Sequence, residues 1–541
     1  MQHFGVVTIF HLWKRFSARS IIPPLHTHAA RVAARVKRRA APLCLGDNVA
    51  IMLTRYACSA VICIFLAAVL VECVPLQSPG YRATRDGTSS AQLTFPALFL
   101  KAMFGIHSAQ PLKSSNTPCA VCSPAVGLLV ELADVNNVTV TELMGDICSY
   151  FPAPINAYCD SVVKTYGPDV LHYLDEKLSP DEVCYKLSLC TNAQCRLWPT
   201  KATRPLSSIA QLPPARGAAV GETPWQWLLD QINRVANSHE PLVDLDHDLH
   251  STEMTLRGGN WRGRDCNDFD GNIHPGRSES GTHPMTDENC NGISGINKDS
   301  GNSWEVELCN GTDAKGVVVL GDSAGAHFHI PVNWLNPHAI NKTTYSELVF
   351  VLANEMDWPQ RSATSGFVAD DRDDPGQMFS IYSAMRDRNR CNHRDYHNIA
   401  VNGARAGDMN STIIRSFQRS QELDKPVLVS FALIGNDVCN GHPDYYNHMT
   451  KPEDFYNSVV ASLEYLDTVL PMGSHVMLVG LAHGSVLYDT MHNRTHPVGT
   501  QYENLYDWLN CLEMSPCLVW MNNNETIRNA GDTRAAELNA Q

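Results

Sequence analysis

The sequence predicts an α/β protein in two folded parts: a small disulfide-bonded helical domain, then a larger domain built on a parallel sheet flanked by helices. Two patterns carry this expectation. Between Ser114 and Cys195 six cysteines are interleaved with apolar residues at helical spacing. From Gly316 onward, short apolar runs alternate with helical stretches, and each run ends in glycine plus a polar residue. The length of 541 residues and the 44% hydrophobic content leave room for more than one core.

Residues 1–51 form a basic, Arg-rich upstream extension, with eight Lys or Arg and no acid before Ala41. Residues 52–73 then read as a signal peptide. Arg55 stands in a short n-region, an apolar run spans Ala57 to Val71, and small residues precede Val74. The run is shorter than the ~20 residues of a spanning helix, so cleavage near Cys73 is expected rather than anchoring. Two address labels in tandem are unusual, which favours translation from Met52. Four of the eighteen cysteines fall in this leader, and the fourteen that remain form an even number. In a secreted or lysosomal protein that argues for disulfides. The sequons at Asn137, Asn310, Asn341, Asn410, Asn493 and Asn524 agree with glycosylation on the same route. The formal charge of -14, with the basic excess confined to the extension, disfavours a nucleic-acid partner.

The helical domain covers residues 114–197. Val126, Leu129, Val130 and Ala133 follow i, i+3, i+4, i+7 spacing, and Val170, Leu174 and Leu178 repeat every four. A unit this small has little core and needs its bridges. Residues 198–223 are rich in Pro, Ala and Ser without periodicity and read as a linker, open to proteases at Arg204 or Arg216. Cys195, just outside the six-cysteine set, is placed to tether the helical domain to the rest.

Residues 244–310 turn acidic, amide-rich and Gly-rich, with few apolar runs. Asp244, Asp246 and Asp248 alternate. Asp265, Asn267, Asp268, Asp270 and Asn272 follow, and then Asp287, Asn289 and Asn291. Oxygen ligands at every second residue, with glycine for the turn, suit Ca²⁺ and its 6–8 oxygens. No Glu stands at the twelfth position of an EF-hand loop, so one to three ions in a helix-free loop are expected, against the alternative of a solvated acidic loop. Zn²⁺ is less favoured, because Cys266, Cys290 and Cys309 are expected to be oxidised.

In the domain spanning 316–541 the strands are GVVVLGDS, YHNIAVNGARAGD, VLVSFALIGND and HVMLVGLAHG. Ser323 lies in Gly321-Asp322-Ser323-Ala324-Gly325, at a strand-to-helix turn where a hydroxyl is exposed above the sheet. Gly403 and Asn436 close two later strands.

Those three blocks resemble the GDSL-type (SGNH) hydrolases, in which a Ser nucleophile works with a Gly and an Asn of the oxyanion hole on a three-layer α/β/α fold. The resemblance assigns Ser323, Gly403 and Asn436 to these roles. The C-x2-C and paired-cysteine spacing resembles the saposin B-type lipid-interacting domain. That likeness implies bridges Cys119 to Cys190, Cys122 to Cys184 and Cys148 to Cys159, where spacing alone leaves fifteen connectivities open. The combination resembles the acyloxyacyl hydrolases. It implies a lipase that removes secondary acyl chains from the lipid A of bacterial lipopolysaccharide and holds a lipid micelle or membrane surface through its helical domain, while the linker at 198–223 and Cys195 lead to the expectation of cleavage into two disulfide-linked subunits. Composition and spacing do not reveal that substrate.

SGNH enzymes carry an Asp-x-x-His near the end of the domain, and no His follows Gly499 here. The expectation is a C-terminally truncated domain with an incomplete catalytic set. His483 in GLAHG is a local alternative base, although a lone His there is more often structural. His327 and His329 follow Ser323 too closely, and His492 and His496 read as loop residues. A phospholipase or general acylester hydrolase of the same fold, or a catalytically impaired lipid-binding form, remain the alternatives.

Overall fold

The computed structural model describes residues 116–153, 155–199, 234–279, 281–368 and 379–541. The basic extension, the signal segment and the linker from residue 200 onward lie outside the described residues.

Four helices form the first part: α1 (Thr117–Asn136), α2 (Val140–Asp146), α3 (Ile155–Asp175) and α4 (Pro180–Lys186). Their ends follow from local chemistry. Proline stands in the first turn of α1, where its missing N–H costs nothing. Asn137 ends that helix in the left-handed region, its N–H bonding back to Ala133 and Asp134. Capping boxes start α2, through Thr139 and Glu142, and α4, through Ser179 and Glu182. The three bridges are Cys119–Cys190, Cys122–Cys184 and Cys148–Cys159, the connectivity implied by the saposin likeness.

This helical unit shares its core with the larger domain. Cys195 bridges to Cys511, so the expected tether exists. Val126, Val183 and Leu197 lie in one apolar cluster with Trp508, Leu509 and Trp520. Leu132 and Leu143 join Trp334, Val351 and Met356 in a second cluster. Phe151 stacks on Tyr345 with ring centroids 4.7 Å apart.

Residues 234–310 run mostly as turns until α5 (Trp304–Cys309). They are better anchored than their composition promised. Trp261 is fully buried under the Arg257 guanidinium, which lies 3.8 Å from its ring and grips Glu355 at 2.7 and 2.9 Å. Cys266–Cys290 and Cys309–Cys391 complete the anchoring. The oxidised cysteines also remove thiolate ligands, as expected.

The sheet comprises β1 (Gly316–Gly321), β2 (Tyr396–Asn398), β3 (Val427–Ala432) and β4 (His475–Val479), in the order β2-β1-β3-β4 and parallel throughout. Between them lie α6 (Ser323–Ala326), α7 (Leu348–Ala353), α8 (Ile381–Arg388), α9 (Ala406–Ser411) and α10 (Pro452–Val469). After β4 come α11 (Val486–Met491), α12 (Tyr502–Cys511) and α13 (Glu525–Asn539). β1 is buried along its whole length, as a β-branched run covered on both faces must be. On one face Val318 and Leu320 meet Met409 of α9 and Leu466 of α10. On the other, Val317 packs against Tyr382 of α8. This is the predicted α/β architecture.

β4 departs from expectation. Its apolar run reads as a buried strand, yet all five residues are exposed, Leu478 to 56%. It is the edge strand of the sheet, paired with β3 alone.

Candidate active site and acidic cluster

Parallel register brings the three candidate residues to one end of the sheet. Gly321 pairs with Ala432, and Val401 N–H donates to the Gly321 carbonyl. Ser323 stands two residues beyond Gly321, Gly403 two beyond Val401, and Asn436 four beyond Ala432. All three therefore lie past the carboxyl ends of adjacent strands, where open α/β sheets bind ligands.

Asp322 holds this end together. Its Oδ1 accepts from Ala324 N–H at 3.0 Å, capping α6, and its Oδ2 accepts from Ile434 N–H at 2.7 Å. One buried carboxylate thus joins the Ser323 turn to the loop that carries Asn436. Gly325 permits the close approach, because a Cβ there would meet the Ala400 Cβ at 3.0 Å. Among the described residues nothing hydrogen-bonds the Ser323 hydroxyl. Asn436 Nδ2 is buried without a hydrogen-bond partner. Gly403 sits at φ 77°, a conformation glycine adopts without strain. The preceding Asn402 donates through Nδ2 to Asp357 Oδ1 at 2.8 Å.

The histidines separate clearly. His483 is not a lone residue. Its Nδ1 lies 3.3 Å from Asp532 Oδ2, the ring is 80% exposed, and Asp532 Oδ1 accepts from Ser485 N–H at 3.2 Å. A cavity of about 590 Å³ opens beside it, lined by Asn529, Asp532, Thr533, Ala536 and Glu537. His492 caps the end of α11, its Nδ1 2.9 Å from the Tyr488 carbonyl, rather than lying in a loop. Burial pushes His496 down to about 4, so it stays neutral. His327 sits in the left-handed position that ends α6, and the His329 ring lies edge-on to Trp358.

The acidic segment divides the expected ligands. Asp244, Asp246 and Asp248 converge, and Asp246 also meets Asp265 and Asp268, with carboxylate oxygens within 4.8 Å of one another in each group. Both Asp246 oxygens, Asp248 Oδ2 and Asp265 Oδ2 are buried with no partner. Burial, reinforced by the Asp248, Asp265, Asp244 and Asp268 charges, pushes Asp246 up to about 6. Such a set of unpaired oxygens fits a hard divalent cation. Asn267 stays beside it, its N–H donating to Asp265 Oδ1.

Asp270 and Asn272 do not join the cluster. Asp270 Oδ1 accepts from both nitrogens of Asn272, whose own Oδ1 accepts from Arg277 on the exposed rim. Asn289 and Asn291 turn away too, donating to the two oxygens of Glu305 at 2.9 and 2.8 Å. Asp287 accepts from Asn291 and Gly292 N–H groups, closing a tight loop. A second acidic group forms here. Burial, followed by the charges of Glu305, Asp287 and Glu288, pushes Glu279 up to about 7. Alternation in sequence could not show which oxygens converge, and Glu305 and Glu279, outside the alternating runs, gave no signal.

Residues 118–210 match the saposin-like domain family, and residues 317–510 match the GDSL-like lipase/acylhydrolase family. Three relatives are each named acyloxyacyl hydrolase. That of Oryctolagus cuniculus is 40% identical, over 80% of this chain and 79% of its own length. Those of Mus musculus and Homo sapiens are 38% and 37% identical, each over 79% of this chain and 78% of their own. Saposin-C of Cavia porcellus is 31% identical over 13% of this chain and 91% of its length.

Proposed function

The chain belongs to the acyloxyacyl hydrolase family and is an ester hydrolase of secretory or lysosomal route; we propose that it releases secondary acyl chains from the lipid A of bacterial lipopolysaccharide. Ser323 Oγ attacks the acyl carbonyl carbon. Its proton passes to a base, and the carbonyl oxygen takes up negative charge. The Ser323 and Gly403 N–H groups and Asn436 Nδ2 donate to that oxygen. Collapse expels the hydroxyl of the primary acyl chain that carried the secondary one, the base returning its proton to that oxygen, and leaves an acyl-enzyme that water hydrolyses. The observation that carries this reading is the buried Asn436 Nδ2 without a partner, because an orphaned donor at a strand end is a stored cost that an oxyanion relieves.

Asn436→Ala is expected to lower kcat for acyl release from lipopolysaccharide by about 10²–10³-fold with a small change in KM, the usual cost of one oxyanion donor. Unchanged kcat would remove Asn436 from the mechanism. For the base, His483 is the histidine beside these strand ends with a carboxylate on its Nδ1, the arrangement that leaves Nε2 free to accept a proton.

The helical domain supplies lipid binding. Val135, Val138, Tyr158 and Val162 expose apolar surface on it. The cluster around Asp246 and Asp265 would hold Ca²⁺, which would offset part of the charge of its five carboxylates and tie residues 244–268 together. Asn137, Asn310, Asn341, Asn493 and Asn524 are exposed and Asn410 half-buried, so the first five are the better glycosylation acceptors.

Processing within 198–223 would leave two pieces joined by Cys195–Cys511. On denaturing gels the cleaved protein is expected to run as one band without reductant and two with it. Cys195→Ser should give two bands under both conditions, and a single band from that variant would show another covalent link.

A further inference from the structure

The Asp357–Asn402 pair is not used by the reaction above, yet it stands directly before Gly403. Asn402 is 0% and Asp357 1% exposed, and Asn402 Nδ2 donates to Asp357 Oδ1 at 2.8 Å. The other oxygen of each side chain, Asp357 Oδ2 and Asn402 Oδ1, is also buried and has no hydrogen-bond partner. Two acceptors cannot satisfy each other without a hydrogen between them. A proton on Asp357 Oδ2 would supply the donor that Asn402 Oδ1 lacks, while Asp357 Oδ1 goes on accepting from Asn402 Nδ2.

The surroundings agree. Arg257, a nearby cation, is committed to both Glu355 oxygens and to the Ala400 carbonyl. Burial first, and then the Glu355 charge, hold Asp357 well above the usual carboxylate range. On the paired segment, where Phe328 bridges to Asp357, the titratable groups are His327 and His329. On the Asn402 side the next charge is Arg405, which is spent on the His448 and Cys439 carbonyls. The approach is strained, since Glu355 and Met356 both lie in the left-handed region, at φ 61° and 63°. Strain of that kind persists where the surrounding structure enforces it, often at functional sites.

We propose that Asp357 is a positioning residue that works as a neutral acid: its acid–amide pair with Asn402 fixes the Asn402–Gly403 turn and aims the Gly403 N–H at the acyl oxygen. This rests on the oxyanion role given to Gly403.

Asp357→Asn can close the same ring as an amide pair, so it is expected to keep kcat within about threefold. Asp357→Ala leaves both ends of the buried Asn402 amide without a partner and is expected to lower kcat by about 10–100-fold at similar KM, part of the cost of a whole oxyanion donor. The pH profile is the readout that a purely structural role would not move. A raised folded pKa means that the proton is held at low pH and lost as pH rises. Wild-type kcat should therefore fall on the alkaline side, while Asp357→Asn holds its plateau. If Asp357→Ala does not fold, the Asn variant and the two pH profiles decide. Equal loss in Asp357→Asn and Asp357→Ala would overturn the proposal, as would an unchanged alkaline limb in Asp357→Asn. If Asn436→Ala costs its expected factor while Asp357→Ala costs nothing, the oxyanion reading stands and this inference falls. If neither matters, the oxyanion reading itself fails.

Discussion

Ser323→Ala should lower release of acyl chains by more than about 10³-fold while leaving the melting temperature nearly unchanged. Loss of the nucleophile removes the covalent route, and single losses from such a catalytic unit reach ~10⁶-fold. The hydroxyl makes no hydrogen bond among the described residues, so a stability change within about 0.5 kcal/mol is expected. The double variant with His483→Gln tests the base. Residues that act as one unit are strongly non-additive, so if His483 takes the Ser323 proton, the double variant should be no slower than Ser323→Ala alone. A His483→Gln single variant with wild-type kcat would place the base elsewhere. Retention of acyl release by Ser323→Ala would remove the nucleophile from the whole reading.

The strands were legible because a covered parallel sheet demands continuous β-branched runs, and Val317, Val318, Val319 and Leu320 supply one that is buried throughout. The same rule misled at β4. His475 to Val479 carries the same kind of run, and sequence does not say whether anything covers it. The disulfide pattern was legible through family likeness alone, since spacing leaves fifteen pairings open. Nothing in the sequence matched Cys195 to Cys511 across 316 residues.

Ser323, Gly403 and Asn436 could be named as candidates because each ends a strand run with a residue type the proposed chemistry needs, and the parallel register carries all three to one end of the sheet. The groups that hold them were not. Asp322 bonds to Ile434 across strands, and Asp357 pairs with Asn402 across 45 residues, so each is a partner by tertiary contact and not by spacing. His483 read as a lone histidine because Asp532, its carboxylate, comes 49 positions later on a different element.

Removing calcium is expected to lower the melting temperature by on the order of 10 °C. A ligand at 10²–10³ times its Kd stabilises by about 3–4 kcal/mol, and each kcal/mol shifts a domain of this size by about 2–4 °C. The cause is visible in the carboxylates. In the metal-free protein, ionising Asp246 works against burial and four neighbouring charges, which is why its pKa rises from 3.8 to about 6. Folded protein then holds a proton that unfolded chain has released, so this group's contribution to metal-free stability falls as pH rises from 3.8 through 6. Ca²⁺ held by these carboxylates would reverse the penalty by pairing with the ionised form. The difference in melting temperature between calcium-loaded and metal-free protein should therefore be large at pH 7.5 and shrink towards pH 5, where protons compete for Asp246. Asp265→Ala, which removes an orphaned buried oxygen from the cluster, should lower the calcium-loaded melting temperature. Asp270→Ala should not, because Asp270 is exposed and bonded to Asn272. Equal melting with and without Ca²⁺ at pH 7.5, in protein that retains no metal by elemental analysis, would show the cluster to be a solvated acidic loop.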